Sequence, residues 1–173
     1  GVAYEEFHLE AYGPGGTGVL MEITSDNRNR TVAELRNLLT KNHGNMAEAG
    51  AVSWQFHKKG LLTIEKGKVD EDTLLSLALD AGAEAVKVGE KLFEVVTDPH
   101  HFEAVKKALV DAKIDTLLAE VTSVPQNTVK LEEKAAEQML KLMEALDEHD
   151  DVQKVHANFD ISDEVMEKVA AAG

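Results

Sequence analysis

Hydrophobic and polar residues follow two different periods in the first quarter of the chain. Residues 4–11 alternate loosely between apolar and polar, and residues 17–24 read Thr-Gly-Val-Leu-Met-Glu-Ile-Thr; both predict strands, which a glycine-rich hairpin loop joins. Apolar residues then recur at helical spacing over residues 32–39, and a polar residue at 25–27 can cap that helix. The helix is expected to end near Gly44, because glycine readily adopts the left-handed backbone of a helix stop.

An alternating stretch and a short apolar stretch predict a second hairpin. Residues 51–57 alternate so that Trp54 and Phe56 share one face, which we expect to be the core. The sequence Lys-Lys-Gly at 58–60 is then an exposed turn, and residues 61–64 form the returning strand. This interpretation places both lysines at the tip of a hairpin.

The rest of the chain indicates a repeated unit. Residues 67–124 predict helix, strand, strand, helix and strand, and they are followed by a long amphipathic helix over 132–149 and a strand over 152–159. Without residues 67–124, the order from Thr17 onward is the split βαβ pattern of ferredoxin-like domains. We therefore predict an α+β fold of two related ferredoxin-like lobes. The first is discontinuous, with residues 1–66 plus 125–173, and the second is inserted as residues 67–124.

Charge is distributed unevenly along the chain. The net charge of −14 opposes non-specific nucleic-acid binding, because phosphate contacts need Lys and Arg. Residues 26–66 nevertheless carry seven Lys and Arg against four Asp and Glu, a net of +3, whereas residues 67–173 carry 11 against 24, a net of −13. An anionic partner is therefore expected to meet residues 26–66.

The amino-acid composition also limits which cellular compartments and which kinds of site are expected. The chain has no cysteine, which excludes disulfides, thiolate metal sites and thiol nucleophiles. No apolar run approaches the roughly 20 residues that span a bilayer, and residues 1–20 lack the pattern of a signal peptide. We expect a cytoplasmic protein without membrane contact.

Two segments, one before and one inside the net-positive residues 26–66, carry candidate binding groups, and each has a structural alternative. The loop Gly13-Pro14-Gly15-Gly16 could bring backbone amides close to an anion, or it could be an ordinary hairpin loop. Arg28 and Arg30 lie at a helix start, where they could clamp phosphates or pair with nearby carboxylates. Arginines there oppose the helix dipole, so their position needs an explanation.

Other candidate chemistry is weaker. Trp54, Phe56 and His57 beside two lysines could form a base-stacking platform, although burial in the core is favoured. Adjacent His100 and His101 would diverge on a helix, and His149 beside two aspartates indicates a solvated surface group. No metal site, cofactor site or catalytic group is predicted.

Three motifs in order resemble the YebC/PmpR family of gene-expression regulators. They are Tyr-Gly-Pro-Gly-Gly at 12–16, Asp-Asn-Arg-Asn-Arg-Thr at 26–31, and Gly-Asn-Met at 44–46 continuing to Gly-Ala-Val-Ser-Trp-Gln-Phe at 50–56. The resemblance covers the whole chain but not the basic, helical N-terminal domain of that family. We therefore expect this chain to be a fragment that begins after it.

The resemblance implies a three-domain regulator, with transcriptional and translational members, and the lack of a predicted catalytic group leads us to expect that it is not an enzyme. Because most of this chain would repel duplex DNA, docking on ribosomal RNA is favoured, with DNA binding as the alternative. The missing N-terminal domain is expected to contribute affinity. Candidate phosphate contacts are Arg28, Arg30, Lys41, Lys58 and Lys59, with residues 13–16 as a close-approach loop.

Two other functional classes stay open from the sequence. Paired ferredoxin-like units can bind small effectors between them, so a small-molecule sensor is an alternative that predicts an apolar pocket. A protein-interaction scaffold would use the acidic face instead. An enzyme is the last of the classes considered, and the sequence does not predict an oligomeric state.

Overall fold

A computed structural model describes residues 2–172. Within this range the elements, in chain order, are β1 (Glu5–Gly13), β2 (Thr17–Ser25), α1 (Arg28–Lys41), β3 (Asn45–Ala47), β4 (Phe56–Glu65), α2 (Glu71–Asp80), β5 (Ala85–Val88), β6 (Leu92–Thr97), α3 (Phe102–Asp111), β7 (Leu118–Pro125), β8 (Val129–Lys130), α4 (Glu133–Asp147), β9 (Val152–Ala157), β10 (Phe159–Asp160) and α5 (Asp163–Ala172). None of the described helices is long and apolar enough to cross a bilayer.

The first sheet has the strand order β3-β1-β2-β9, and every neighbouring pair is antiparallel. Alternate residues of β2 face a core that α1 and α4 complete, because their apolar stripes meet the same side of the sheet. The fully or nearly buried members of this core are Ala11, Val19, Met21, Ile23, Leu35, Leu39, Leu131, Ala136, Met139, Leu142 and Leu146. Asn27 caps α1 by accepting from the amide of Arg30 at 3.1 Å.

The second sheet has the strand order β5-β6-β4-β7. Helices α2 and α3 pack on it through a separate core. Its buried members are Leu62, Ile64, Leu74, Ala78, Phe93, Val95, Phe102, Val105, Leu109 and Ile114. Asp70 caps α2 by accepting from the amide of Thr73 at 3.2 Å. The α+β fold of two lobes predicted from the sequence is confirmed.

Contacts group the chain into two compact units, one running to Phe56 and resuming at Pro125, the other spanning His57–Val124. The sequence placed the first cut at residue 66 instead. The difference concerns β4, which pairs with β6 and so belongs with the second sheet. The division into a lobe of residues 1–66 plus 125–173 and an inserted lobe of residues 67–124 stays a prediction.

The second predicted hairpin is wrong. Lys58, Lys59 and Gly60 do not turn but continue β4 as one strand, in which Gly60 pairs with Thr97 of β6. Glycine is required there for space, since a Cβ atom would lie 2.3 Å from Thr97 Oγ1 and 2.6 Å from Phe102 Cδ1. Gly60 therefore marks close packing inside a strand. A glycine in the sequence can indicate either such packing or a turn.

Of the strand predicted over residues 51–57, only Phe56 and His57 are in a strand, where they begin β4. Ser53–Gln55 is a 3-10 turn, and Trp54 is 61% exposed while Phe56 is buried. The strand on this edge is β3, which the sequence did not predict because it has only three residues. It pairs with Glu10–Tyr12 of β1.

Candidate nucleic-acid interface

Arg28 begins α1 and is held by β1. Its Nη1 lies 2.7 Å from Glu5 Oε2, and its guanidinium stands 4.4 Å from the centre of the Phe7 ring. Both partners are exposed, so the ion pair is screened by water. This contact explains how an arginine is tolerated at the positive end of the helix dipole.

Arg30 lies at the centre of an ion-pair network. Its Nη2 contacts Asp26 Oδ1 at 2.8 Å and Asp151 Oδ2 at 3.2 Å, and these bonds raise the pKa of Arg30 above its ordinary value. Thr31 Oγ1 donates to Asp151 at 2.6 Å. That hydrogen bond lowers the pKa of the Asp151 carboxyl. Burial raises this pKa and the contact with Arg30 lowers it further, so that the net shift is downward. Asp151 is thereby held as a carboxylate.

The three predicted lysines differ in their partners. Lys59 Nζ lies 2.8 and 2.9 Å from the two carboxylate oxygens of Glu84. Lys41 and Lys58 are exposed, and within residues 2–172 neither has an ion pair. Arg36 on α1 is likewise exposed and unpaired in that range, although no sequence motif singled it out.

The loop at residues 13–16 packs against the protein's own helix α4. Gly15 has φ of 74°, and a Cβ atom on it would lie 2.5 Å from Leu131 Cδ2. Pro14 is buried and its carbonyl accepts from Thr17 Oγ1 at 3.1 Å. Gly16, with φ of 77°, faces open space. At Gly15 the lack of a side chain thus allows the loop to pack against Leu131, whereas the backbone of Gly16 stays accessible.

Glu10 is a buried carboxylate that the sequence analysis missed. It is only 7% exposed, and it accepts from the amides of Gly50 at 2.6 Å, Val52 at 2.9 Å and Ser53 at 2.7 Å. Burial alone would raise the pKa of Glu10, but these bonds outweigh it and lower the pKa. The available signal was an acid on an apolar strand, together with the motif at 50–56.

A second buried polar group holds the other end of the same loop. Asn158 Oδ1 accepts from the amide of Gly18 at 2.7 Å, and its Nδ2 donates to Gln55 Oε1 at 2.8 Å. A Cβ atom on Gly18 would lie 2.9 Å from Gln55 Nε2, so this contact needs glycine. The motif at 50–56 is therefore fixed to the sheet at both ends.

Glu34, His149 and Asp151 form a cluster whose ligand atoms lie within 4.8 Å of one another. The amide of Asp151 donates to His149 Nδ1 at 3.1 Å, which places the neutral ring's proton on Nε2, 3.4 Å from Glu34 Oε1. That tautomer offers no lone pair toward the carboxylates. Arg30 already supplies the positive charge, so the cluster is an ion-pair network and not a ready metal site.

Residues 4–159 match the family model described as TACO1/YebC second and third domain. The chain belongs to this family. The resemblance inferred from the three motifs is thus confirmed at the family level. Those motifs lie in the first hairpin, at the start of α1 and in the loop that Glu10 holds.

Curated relatives in the TACO1/YebC family are similar over nearly the whole chain. A "probable transcriptional regulatory protein" from Geobacter sulfurreducens is 54% identical over 169 residues, covering 98% of this chain and 68% of the relative. A protein of the same name from Syntrophus aciditrophicus is 49% identical over 171 residues, covering 99% and 68%. The crystal structure of a conserved hypothetical protein from Aquifex aeolicus has a TM-score of 0.76 at 40% identity, covering 94% of this chain and 68% of that one.

In this TACO1/YebC-family chain the predicted basic residues therefore fall into two groups. Arg28, Arg30 and Lys59 already contact carboxylates, as the structural alternative for the arginines expected. Lys41 and Lys58 present a free charge to solvent. Each lysine of the second group can bind an anion directly, and each residue of the first group can do so only by exchanging its carboxylate partner.

Proposed function

We propose that this chain is a non-enzymatic regulator of gene expression that docks on RNA, with ribosomal RNA as the favoured target and the cytoplasm as its compartment. The observation that carries the proposal is the uneven charge, +3 over residues 26–66 against −13 over residues 67–173. The regulator names of the relatives support the general role. They name transcription, so duplex DNA is the alternative target.

The acidic part of the chain favours RNA docking over reading of a DNA groove. A protein that follows a duplex makes many phosphate contacts, and each needs a cation in place of a released counterion. A net of −13 over residues 67–173 would repel phosphates along such a path. A few cations are sufficient for a local contact on a folded RNA.

Lys41 and Lys58 are the proposed principal phosphate contacts, since neither must first leave a carboxylate. Arg28, Arg30 and Lys59 are proposed to contribute by exchanging their carboxylate partners for phosphate. Exposed ion pairs are worth about 0–1 kcal/mol, so the exchange is affordable for RNA of high charge density. The exposed backbone of Gly16 in the 13–16 loop is the proposed point of close approach.

The small-molecule alternative gains no specific support. The cleft beside Arg30 has a volume of about 480 Å³ and is lined by Arg30, Glu34, Glu148, His149, Asp150 and Asp151. Charged walls do not match the mostly apolar pockets that bind effectors.

The proposal is tested by co-sedimentation with ribosomes, run beside duplex-DNA binding across a salt series. The chain and the Geobacter sulfurreducens relative are both assayed, together with the double variant Lys41→Ala/Lys58→Ala. The matched control is Lys130→Ala/Lys134→Ala, which removes the same charge from two exposed lysines of the acidic part that have no ion pair among the described residues 2–172. We expect ribosome binding to outlast DNA binding as salt rises.

The double variant should weaken ribosome binding. It should also reduce the slope of the logarithm of the binding constant against the logarithm of salt concentration by roughly 0.7–0.9 per lost contact, while the control variant leaves affinity and slope unchanged. Equal losses in the two variants would mean that only net charge matters. Sequence-specific DNA binding without ribosome association would reject the RNA proposal in favour of the DNA alternative.

A further inference from the structure

Trp54 is a large aromatic side chain that is mostly exposed to solvent. It is the chain's single tryptophan and is 61% exposed, although burying so large a ring would remove much apolar area from water and so stabilise the fold. Its Nε1–H donates to the carbonyl of Ala51 at 3.1 Å. The polar atom is thereby satisfied within the loop, and the open part of the ring is a π surface.

The backbone that carries Trp54 is fixed on both sides. Glu10 holds Val52 and Ser53 immediately before it, and Gln55 immediately after it is bonded to Asn158. Val52 also packs in a small core with Leu20 and Phe56. A ring presented by a preorganised loop loses little freedom when a partner binds, which increases the affinity that it can contribute.

A second aromatic residue lies on the same face of the first sheet. Tyr12 is 40% exposed and follows Glu10 by two residues on β1, so both side chains point to the face that the loop covers. Tyr12 also lies opposite Gly18 in the register, and a Cβ atom on Gly18 would be 3.2 Å from Val52 Cβ. The sheet thus places Tyr12 beside the loop that carries Trp54.

We propose that the exposed ring of Trp54 is a stacking platform for an unpaired base of single-stranded RNA, with Tyr12 as a second exposed aromatic residue on the sheet face that the loop covers. Aromatic rings bind unpaired bases through their π faces and tolerate any base. Charge supports this occupant, because the loop lies in the net-positive segment of residues 26–66. The flanking residues are polar or small, whereas a protein hot spot is surrounded by a rim that excludes water.

The inference rests on the proposed function and names the element of the RNA that is recognised. Its test uses the emission of Trp54 itself, which no other tryptophan obscures. A single-stranded oligoadenylate RNA of about 12 nucleotides is titrated into the 173-residue chain at low salt, beside an RNA duplex of the same length. We expect saturable quenching by the single strand and much weaker quenching by the duplex.

Substitutions separate stacking from electrostatic attraction. Trp54→Ala should weaken single-strand binding by about 5- to 150-fold, read by anisotropy of a labelled RNA, and Trp54→Phe should retain much of it. Tyr4→Ala is the matched control, since Tyr4 is a similarly exposed aromatic outside the sheet. Far-UV circular dichroism checks that each variant is folded.

The outcomes distinguish the two proposals. RNA binding that Trp54→Ala leaves unchanged would overturn the platform and leave the RNA-docking function standing. Absence of binding to single strands, duplex and ribosomes would overturn both. Quenching by RNA-free ribosomal proteins, with no response to RNA, would assign Trp54 to a protein interface and overturn the platform.

Discussion

Replacing Glu10 with glutamine tests whether one buried carboxylate holds the 50–56 motif in place. In the folded chain its Oε1 accepts from the amides of Val52 and Ser53, and its Oε2 accepts from that of Gly50. Glutamine keeps the size of the side chain and one acceptor oxygen. Its NH2 group would face the amide of Gly50, so that bond is lost and two donors oppose each other.

The expected loss of stability follows from the three bonds. A hydrogen bond to a charged group contributes about 1.5–3 kcal/mol and a neutral one about 0.5–1.5 kcal/mol. Glu10→Gln removes one charged bond and weakens two, while it relieves the cost of burying a charge. We therefore expect the free energy of unfolding to fall by about 2–4 kcal/mol at neutral pH.

The pH dependence provides a second signature. Because the folded-state pKa of Glu10 lies below its ordinary value of 4.5, its contribution is fully present above pH 4.5. It is lost as pH falls through the lower folded-state pKa, where protonated Glu10 resembles glutamine. The difference between wild type and Glu10→Gln should therefore shrink in acid.

Urea denaturation from pH 7 down to about pH 3, followed by Trp54 emission and circular dichroism, measures both effects. Glu6→Gln is the control, because Glu6 is exposed on the same strand and the same face; it should change stability by less than about 0.5 kcal/mol. If Glu10→Gln behaved like Glu6→Gln, or if its deficit were independent of pH, the carboxylate would not be what holds the loop.

Two further substitutions test packing and buried polarity. Gly60→Ala should destabilise the second sheet by about 1–3 kcal/mol in chemical denaturation, because the added Cβ atom would meet Thr97 and Phe102. The control Gly67→Ala, whose added Cβ atom would have no neighbour within 4 Å, should not destabilise it. Equal effects of the two substitutions would contradict the close packing at Gly60. Asn158→Ala should lower stability by about 2–4 kcal/mol, since Gly18 and Gln55 each lose a buried partner, and an effect as small as that of exposed Asn37→Ala would contradict this.

Sequence patterns predicted the regular elements better than the connections. The β1–β2 hairpin, α1, β5, β6 and α4 follow from local periodicity, which is visible in a single stretch of chain. The loop before β4 does not, because its shape depends on Glu10, some 40 residues earlier in the sequence, and on Asn158 near the other end. Alternation around Trp54 therefore indicated a strand where long-range hydrogen bonds impose a turn.

Gly60 illustrates a different limit of sequence reading. A glycine after two lysines is typical of a turn, and glycine is also required where a neighbouring side chain leaves no room for a Cβ atom. The distinction depends on Phe102, a residue of α3 that lies far along the chain. Only the folded structure brings that ring against β4.

The basic residues show why charge counting locates a region but not its free cations. Residues 26–66 are net positive. Arg28 and Lys59 are nevertheless paired with Glu5 and Glu84, which lie outside that segment. Arg30 is paired with Asp26 inside it and with Asp151 outside it. Folding thus lowers the availability of three of the five predicted contacts without changing their charge. If RNA binding depends on free cations, Lys41 and Lys58 should contribute more than the paired groups. Arg36, unpaired on α1, then belongs with them although no motif marked it.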